Sequence, residues 1–302
     1  MQGSFQDYMR TGIIHFMAYP KCASGEGPIL DTLSGLLCDD FFEVVEVTHI
    51  KDADTRRQAR SLAEQARVEL CFGAQPILLA GKLDLNHPDE EERQRAVNAV
   101  LDAIPQAEEL GCRAVAVLSG KVSEDREAAK ARLIDSLQQL ARCARPKGIS
   151  IVLEQFDQVD FGKNCLIGPT AEAVEISQEM RRDFPNFGLL LDLSHLPLLH
   201  ETPETAIRTA GEHLVHAHIG NCAMDDPTHE AYGDNHPRFG APGTRNDVPE
   251  LVRYLKALMD IGFISEKSRG IVSFEVKPMS RESSEAVIAG SKRTLLAAWR
   301  RL

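Results

Sequence analysis

Apolar runs of five to seven residues alternate along this chain with amphipathic stretches of helical period. The runs lie at 13–19 (IIHFMAY), 41–47 (FFEVVEV), 68–73 (VELCFG), 114–118 (AVAVL), 150–154 (SIVLE), 188–193 (GLLLDL), 214–219 (LVHAHI) and 271–276 (IVSFEV). Each has the length and the β-branched or leucine-rich composition of a strand buried on both faces. Between them the spacing predicts helices over 28–37, 52–66, 89–110, 123–146, 170–184, 202–211, 248–261 and 282–300. The helix at 89 carries the plainest start signal: Pro88 precedes an acidic first turn, Asp89 to Glu92, that complements the helix dipole. It ends at Leu110-Gly111, and Gly148 and Gly262 follow two later helices in the same way.

Strict alternation of strand and helix implies a parallel sheet with right-handed crossovers. Eight such units predict an α/β protein of the closed (β/α)8 TIM-barrel type, which usually takes ~250 residues. An open doubly wound sheet is the alternative, but the glycine-rich phosphate fingerprint that often marks it is missing. No linker divides the chain, so 1–302 reads as a single barrel domain. The rhythm breaks once, in the polar loop 221–246, rich in His, Asp, Gly and Pro. Loops this long in a compact domain are usually functional, and this one is expected to overhang the face where the strands end.

Four of the predicted strands stop on a metal-ligand side chain: Glu154 after Ile-Val-Leu, Asp192 with His195 after Leu-Leu-Leu, His218 in His-Ala-His, and Glu275 after Ser-Phe. Barrel enzymes keep their chemistry at that end of the strands. The alternative for any one of them is a side chain that reaches solvent or pairs with an arginine. Glu154 and Glu275, on the fifth and eighth strands, would face each other across the barrel mouth, as acid/base work on two faces of a substrate requires. Asp192 and His195 lie three apart and can both turn into the mouth. His216 and His218 share a strand face; His218, nearer the end, is the better ligand, and His216 suits a deeper supporting role. In the loop, Asp234, His236 and Arg238 add an acid, an imidazole and a guanidinium as candidate substrate-binding residues, with His195 beside them. Two glutamates, an aspartate and a histidine form an oxygen-rich set suited to Mn2+, Mg2+ or Co2+. Tyr19, Phe72, Phe156 and Phe161 are candidate pocket walls, with core packing as their alternative.

Composition narrows the partners. A formal net charge of −11 argues against a nucleic-acid footprint. The seven cysteines are scattered without a CxxC pair, as expected of reduced thiols in a cytoplasmic protein. No signal peptide and no 18-residue apolar run is present, so we expect neither secretion by a standard signal nor a membrane span.

The segments VLEQF, LLDLSH, HAHIGN, GDNHPRFGAPG and FEVKP, in this order, resemble the xylose-isomerase-like barrel superfamily. That superfamily includes sugar isomerases and epimerases, inosose dehydratase-like enzymes and the endonuclease IV proteins. The resemblance implies that Glu154, Asp192, His218 and Glu275 bind one divalent metal, Mn2+ in the first instance. It implies that the two glutamates double as acid and base, and that His195 and Arg238 contact substrate hydroxyls. Asp234 and His236 resemble a pair that in endonuclease IV helps hold further zinc ions. Two other zinc-binding histidines of that enzyme are replaced here by Gln75 and Ser119, which argues against DNA repair.

The expected activity is therefore metal-dependent sugar isomerisation or epimerisation, by proton abstraction next to a carbonyl through an enediolate. Two alternatives remain open: a lyase or deglycosidase that cleaves 3-keto-glycosides, including C-glycosides, by β-elimination, and a non-catalytic metal-containing sugar-binding barrel. The expected partners are a small sugar or glycoside and further copies of the chain in a homo-oligomer, with a small second subunit if the protein is a deglycosidase.

Overall fold

In the computed structural model, which describes residues 3–302, eight parallel strands close into a barrel. They are β1 (Met9–Ile14), β2 (Val44–Val47), β3 (Glu69–Gly73), β4 (Ala114–Leu118), β5 (Ser150–Glu154), β6 (Phe187–Asp192), β7 (Leu214–Gly220) and β8 (Gly270–Glu275). Each pairs with its neighbour in sequence, and β8 closes on β1 through Met9 opposite Gly270 to Ile13 opposite Phe274. Outside them run α1 (Ile29–Leu37), α2 (Ala53–Ala66), α3 (Glu90–Glu109), α4 (Arg126–Ala144), α5 (Thr170–Arg181), α6 (Pro203–Ala210), α7 (Val248–Asp260) and α8 (Ser284–Trp299). Short polar side chains start several of them: Asp52, Asp89, Asp125, Thr202 and Ser283 each accept a backbone N–H of the first turn.

Strand positions agree with the hydrophobic pattern except at the first. The expected 13–19 run is divided: β1 ends at Ile14, and His15–Ala18 turns as a short helix. The polar-looking Met9–Gly12 is strand because it pairs with β8, and Gly12 is where the two neighbours close in. A Cβ there would stand 2.2 Å from Ser273 Oγ and 3.1 Å from Val44 Cβ. The apolar signal runs on past the strand because Phe16 and Met17 line the barrel mouth.

Side chains alternate along each strand, so the interior of the barrel is built in layers. Two small apolar clusters, Val44–Cys71–Ile271 and Ala116–Val152–Leu190, lie within it. Two residues further along the same strands stand Glu46, Glu154, Asp192 and Ser273, with His216 and His218 successive inward positions on β7. The larger core fills the space between barrel and helices. Thus the strand period that buries valine and leucine also carries the acids and imidazoles to one end.

The 221–246 segment is tied down at its base. Asn221 donates to Arg238 O (2.9 Å) and Thr244 Oγ1 (2.7 Å) and accepts from the backbone of Cys222, Arg245 and Asn246. Asn246 donates to the Leu193 and Gly220 carbonyls. At Gly233, with φ +80°, a Cβ would lie 2.4 Å from Phe161 O, so this loop and the one after β5 touch at backbone level.

Candidate metal centre and active site

Glu154, Asp192, His218 and Glu275 offer ligand atoms that all lie within 4.8 Å of one another. Period-two alternation brings them there from the ends of β5, β6, β7 and β8. All four are buried or nearly so. Among the described residues, Glu154 Oε1 and Asp192 Oδ2 are buried oxygens without a hydrogen-bond partner. A buried carboxylate oxygen left in that state is costly, and two converging on one point are what a divalent cation compensates. The donor set, three carboxylates and an imidazole, suits a hard or borderline cation.

The supporting contacts set the orientation. His218 Nδ1 faces Glu275 Oε2 at 2.8 Å, while its Nε2 faces the Glu46 oxygens at 3.1 and 3.2 Å. With its Nε2–H donated to Glu46, His218 would keep Nδ1 for a cation, as when a carboxylate fixes the tautomer of a ligating imidazole. His216 Nε2 meets the same Glu46 Oε1 at 2.8 Å from one layer deeper, in a supporting place. Burial pushes the Glu46 carboxyl up, but His216 and His218 prevail and hold it well below the usual range. Gln75 donates to Glu154 Oε2 at 2.8 Å.

A second group of acids and imidazoles adjoins the first. Asp234 Oδ1 lies 2.8 Å from His236 Nε2 and 3.1 Å from His195 Nε2, and its Oδ2 accepts from Lys163 Nζ at 2.9 Å. Burial works against the His195 imidazolium, but Asp234, Asp192 and Glu154 outweigh it and raise its pKa to about 10. With Nδ1 donating to Gln155 O at 2.7 Å, both ring nitrogens of His195 are engaged. Burial likewise opposes the Asp234 carboxylate, yet His236 and Lys163 hold it well below the usual range. Asp192, His195 and His236 also converge, but the internal ammonium of Lys163 already supplies a fixed cation to this cluster. Lys163 is placed by the loop after β5, where Asp157 accepts the backbone N–H groups of Lys163 and Asn164.

The residues expected from sequence divide as follows. Glu154, Asp192, His218 and Glu275 converge; Glu154, His218 and Glu275 line a cavity of about 230 Å³ together with Asp234 and His236. Phe16, Met17, Phe156, Gln75, Lys163 and Lys277 complete much of its wall. His195 is fully buried behind it, against Phe156. Arg238 turns away and pairs with Glu282 at 2.7 Å, partly exposed. Phe72 belongs to the outer core and Phe161 packs against Tyr232 with its ring tilted by 49°. Sequence reading missed Glu46, Gln75 as a partner of Glu154, and Lys163. Glu46 had a signal, a lone acid between valines in a buried strand; Lys163, in an irregular loop, had none.

Comparison with known proteins agrees with this architecture. The family model described as xylose isomerase-like TIM barrel matches residues 40–296. A D-psicose 3-epimerase of Ruminiclostridium cellulolyticum is 30% identical over 96 residues, which are 32% of this chain and 31% of that protein. The crystal structure of D-psicose 3-epimerase from Clostridium cellulolyticum superposes with TM-score 0.71 at 19% identity, covering 95% of this chain and 99% of that one. An L-ribulose 3-epimerase superposes with TM-score 0.74 at 20% identity, covering 97% and 96%. A 3-keto-D-glucoside 4-epimerase from E. coli does so with TM-score 0.67 at 16% identity, covering 97% and 99%.

Proposed function

The chain belongs to the xylose isomerase-like TIM-barrel family, and from that premise we propose that it is a divalent-metal-dependent isomerase or epimerase of a keto sugar. The observation that carries this reading is the pair of partnerless buried oxygens, Glu154 Oε1 and Asp192 Oδ2, facing His218 and Glu275 under a sugar-sized cavity. Glu154, Asp192, His218 and Glu275 would hold the cation, Mn2+ in the first instance, which when bound supplies Lewis-acid polarisation of the substrate carbonyl.

The protein's own groups then perform the proton transfers. Glu154 and Glu275 project from the ends of β5 and β8 into the same cavity, so one can take the proton from the carbon next to the carbonyl and the other can return it. Gln75 pins one oxygen of Glu154 and leaves the other directed at the centre. His236, 3.3 Å from Glu275 Oε1, orients that carboxylate. Lys163 and Lys277 line the cavity as donors to substrate oxygens. Phe16, Met17 and Phe156 exclude water from the carbanionic carbon.

Deuterium wash-in tests the reading. The Mn2+-loaded protein, incubated with ketoses and 3-keto-glycosides in D2O, should place solvent deuterium on the carbon beside the carbonyl. Exhaustive chelation should abolish the exchange and Mn2+ should restore it; exchange that survives chelation contradicts the proposal. Glu154→Gln and Glu275→Gln should each lower turnover by at least ~100-fold. A second reading, β-elimination from a 3-keto-glycoside, uses the same base and is favoured by the larger cavity that adjoins this one. Release of a free aglycone without an epimer would distinguish it.

A further inference from the structure

A cavity of about 610 Å³ lies beside the one over the carboxylates and shares Leu79 and Lys163 with it. The inner cavity, about 230 Å³, is below the ~300–1,000 Å³ usual for a drug-sized ligand, whereas the outer one lies well within that range. Its walls come from the helical turn after β3, the 82–88 segment and the loop that follows β4.

The free surface of the outer cavity is mostly apolar. Leu78, Leu79, Leu83, Leu118 and Val122 line it, and Leu79 (40%) and Val122 (43%) are among the few large apolar side chains the chain exposes. Lys82, His87 and Ser123 also line it, while several of its other polar groups are engaged with one another. Asn86 accepts from Gly120 N at 2.6 Å and donates to Lys121 O at 2.9 Å. Asp84 accepts from the backbone of Asn86 and Lys121, and Lys121 Nζ donates to Lys163 O at 2.6 Å. Gly120 allows this packing, since a Cβ there would stand 1.6 Å from Asp84 Oδ1. The chamber is thus held open by its own framework and offers leucine and valine surface to an occupant. A free sugar, with a hydroxyl on nearly every carbon, has little to gain there.

We propose that the two cavities form one bipartite substrate site, with a keto-sugar ring over Glu154, Asp192, His218 and Glu275 and an apolar, ring-bearing aglycone in the outer chamber. The substrate class is then a keto-glycoside in preference to a free ketose. The junction is built for this: Lys163 Nζ stands 5.9 Å from the Phe156 ring centroid, so an ammonium and an aromatic face meet where sugar and aglycone join. This inference rests on the sugar-binding reading of the inner cavity.

Binding of unreactive ligands tests it apart from turnover. Methyl and 4-nitrophenyl glucopyranosides, in both anomeric forms, are titrated into the Mn2+-loaded protein. The aryl glycoside should bind at least about tenfold more tightly than its methyl counterpart. Val122→Trp, which fills the chamber from its exposed rim, should erase that difference and leave methyl glycoside and Mn2+ binding unchanged. Equal affinity for the two glycosides, with deuterium wash-in into free ketoses intact, overturns the bipartite site and leaves the isomerase reading standing. Binding of 4-nitrophenol alone, with no sugar bound and no wash-in, overturns it from the sugar side. A second copy covering this face would appear as an assembly that Val122→Trp dissociates while the aryl preference is unaffected, and that result also overturns it.

Discussion

Glu46, on the wall of the carboxylate cavity, shows how one side chain can govern the residues beside it. Its carboxylate holds His216 and His218 from below, so the nitrogen of His218 that faces the centre is chosen by an acid on β2. Glu46→Gln should therefore weaken Mn2+ binding by ~10–100-fold with the four converging residues intact, measured by competition with a chelator. An unchanged affinity would mean that the His218 tautomer is set elsewhere. His15 offers a test in stability. Burial lowers its pKa from 6.5 to about 4, so the unfolded chain binds its proton at higher pH than the folded one. The stabilisation is fully present above pH 6.5 and is lost as pH falls towards about 4. His15→Gln, which can keep the contact with Thr32, should remove up to ~1.4 kcal/mol per pH unit of slope in that window. Parallel stability curves for the two proteins would contradict it.

At the scale of elements, the strand ends and their loops have different physics. β5 and β8 place Glu154 and Glu275 through alternation alone, and both strands were legible because a buried parallel strand needs a continuous apolar run. The loop after β7 was legible as a loop and not as a shape. Its base depends on Asn221, whose amide joins Cys222, Arg238, Thr244, Arg245 and Asn246. Asn221→Ala leaves several buried backbone groups without partners. It should cost ~2–4 kcal/mol and open 221–246 to limited proteolysis, read by denaturant unfolding and by the cleavage pattern. Arg238 illustrates the converse. Its place in a motif pointed to substrate, but the backbone of the loop aims it at Glu282.

Over the whole molecule, the proposed metal centre implies that charge balance in the barrel mouth ties folding to metal. Buried carboxylates stand together with their repulsion only partly met by His195, His218, His236 and Lys163. Burial pushes the Asp192 carboxyl up, and neighbouring Glu275 adds to it. Binding to the folded state alone stabilises it by ~4 kcal/mol at a thousandfold excess over Kd. Saturating Mn2+ should accordingly raise the unfolding temperature by several degrees. Asp192→Asn should abolish that rise while making the metal-free protein more stable, since it removes a charge with a partnerless oxygen and can keep the acceptor for Ser194 N. A metal-free variant less stable than wild type would show that the Asp192 charge is already compensated. No helix among the described residues is long and apolar enough to cross a membrane.

What the chain decided locally is the set of eight alternating units and the identity of the acids and histidines at the ends of four strands, because periodicity and strand length are properties of short segments. Closure of the barrel decided the rest. It ended β1 at Ile14, brought Glu46 beneath His218 across a sequence distance of 172 residues, and set Lys163 against Asp234. It also set a second, mostly apolar cavity beside the carboxylate one, with Leu79 and Lys163 in the walls of both. Those relations exist only between segments far apart in the chain, and no local pattern encodes them.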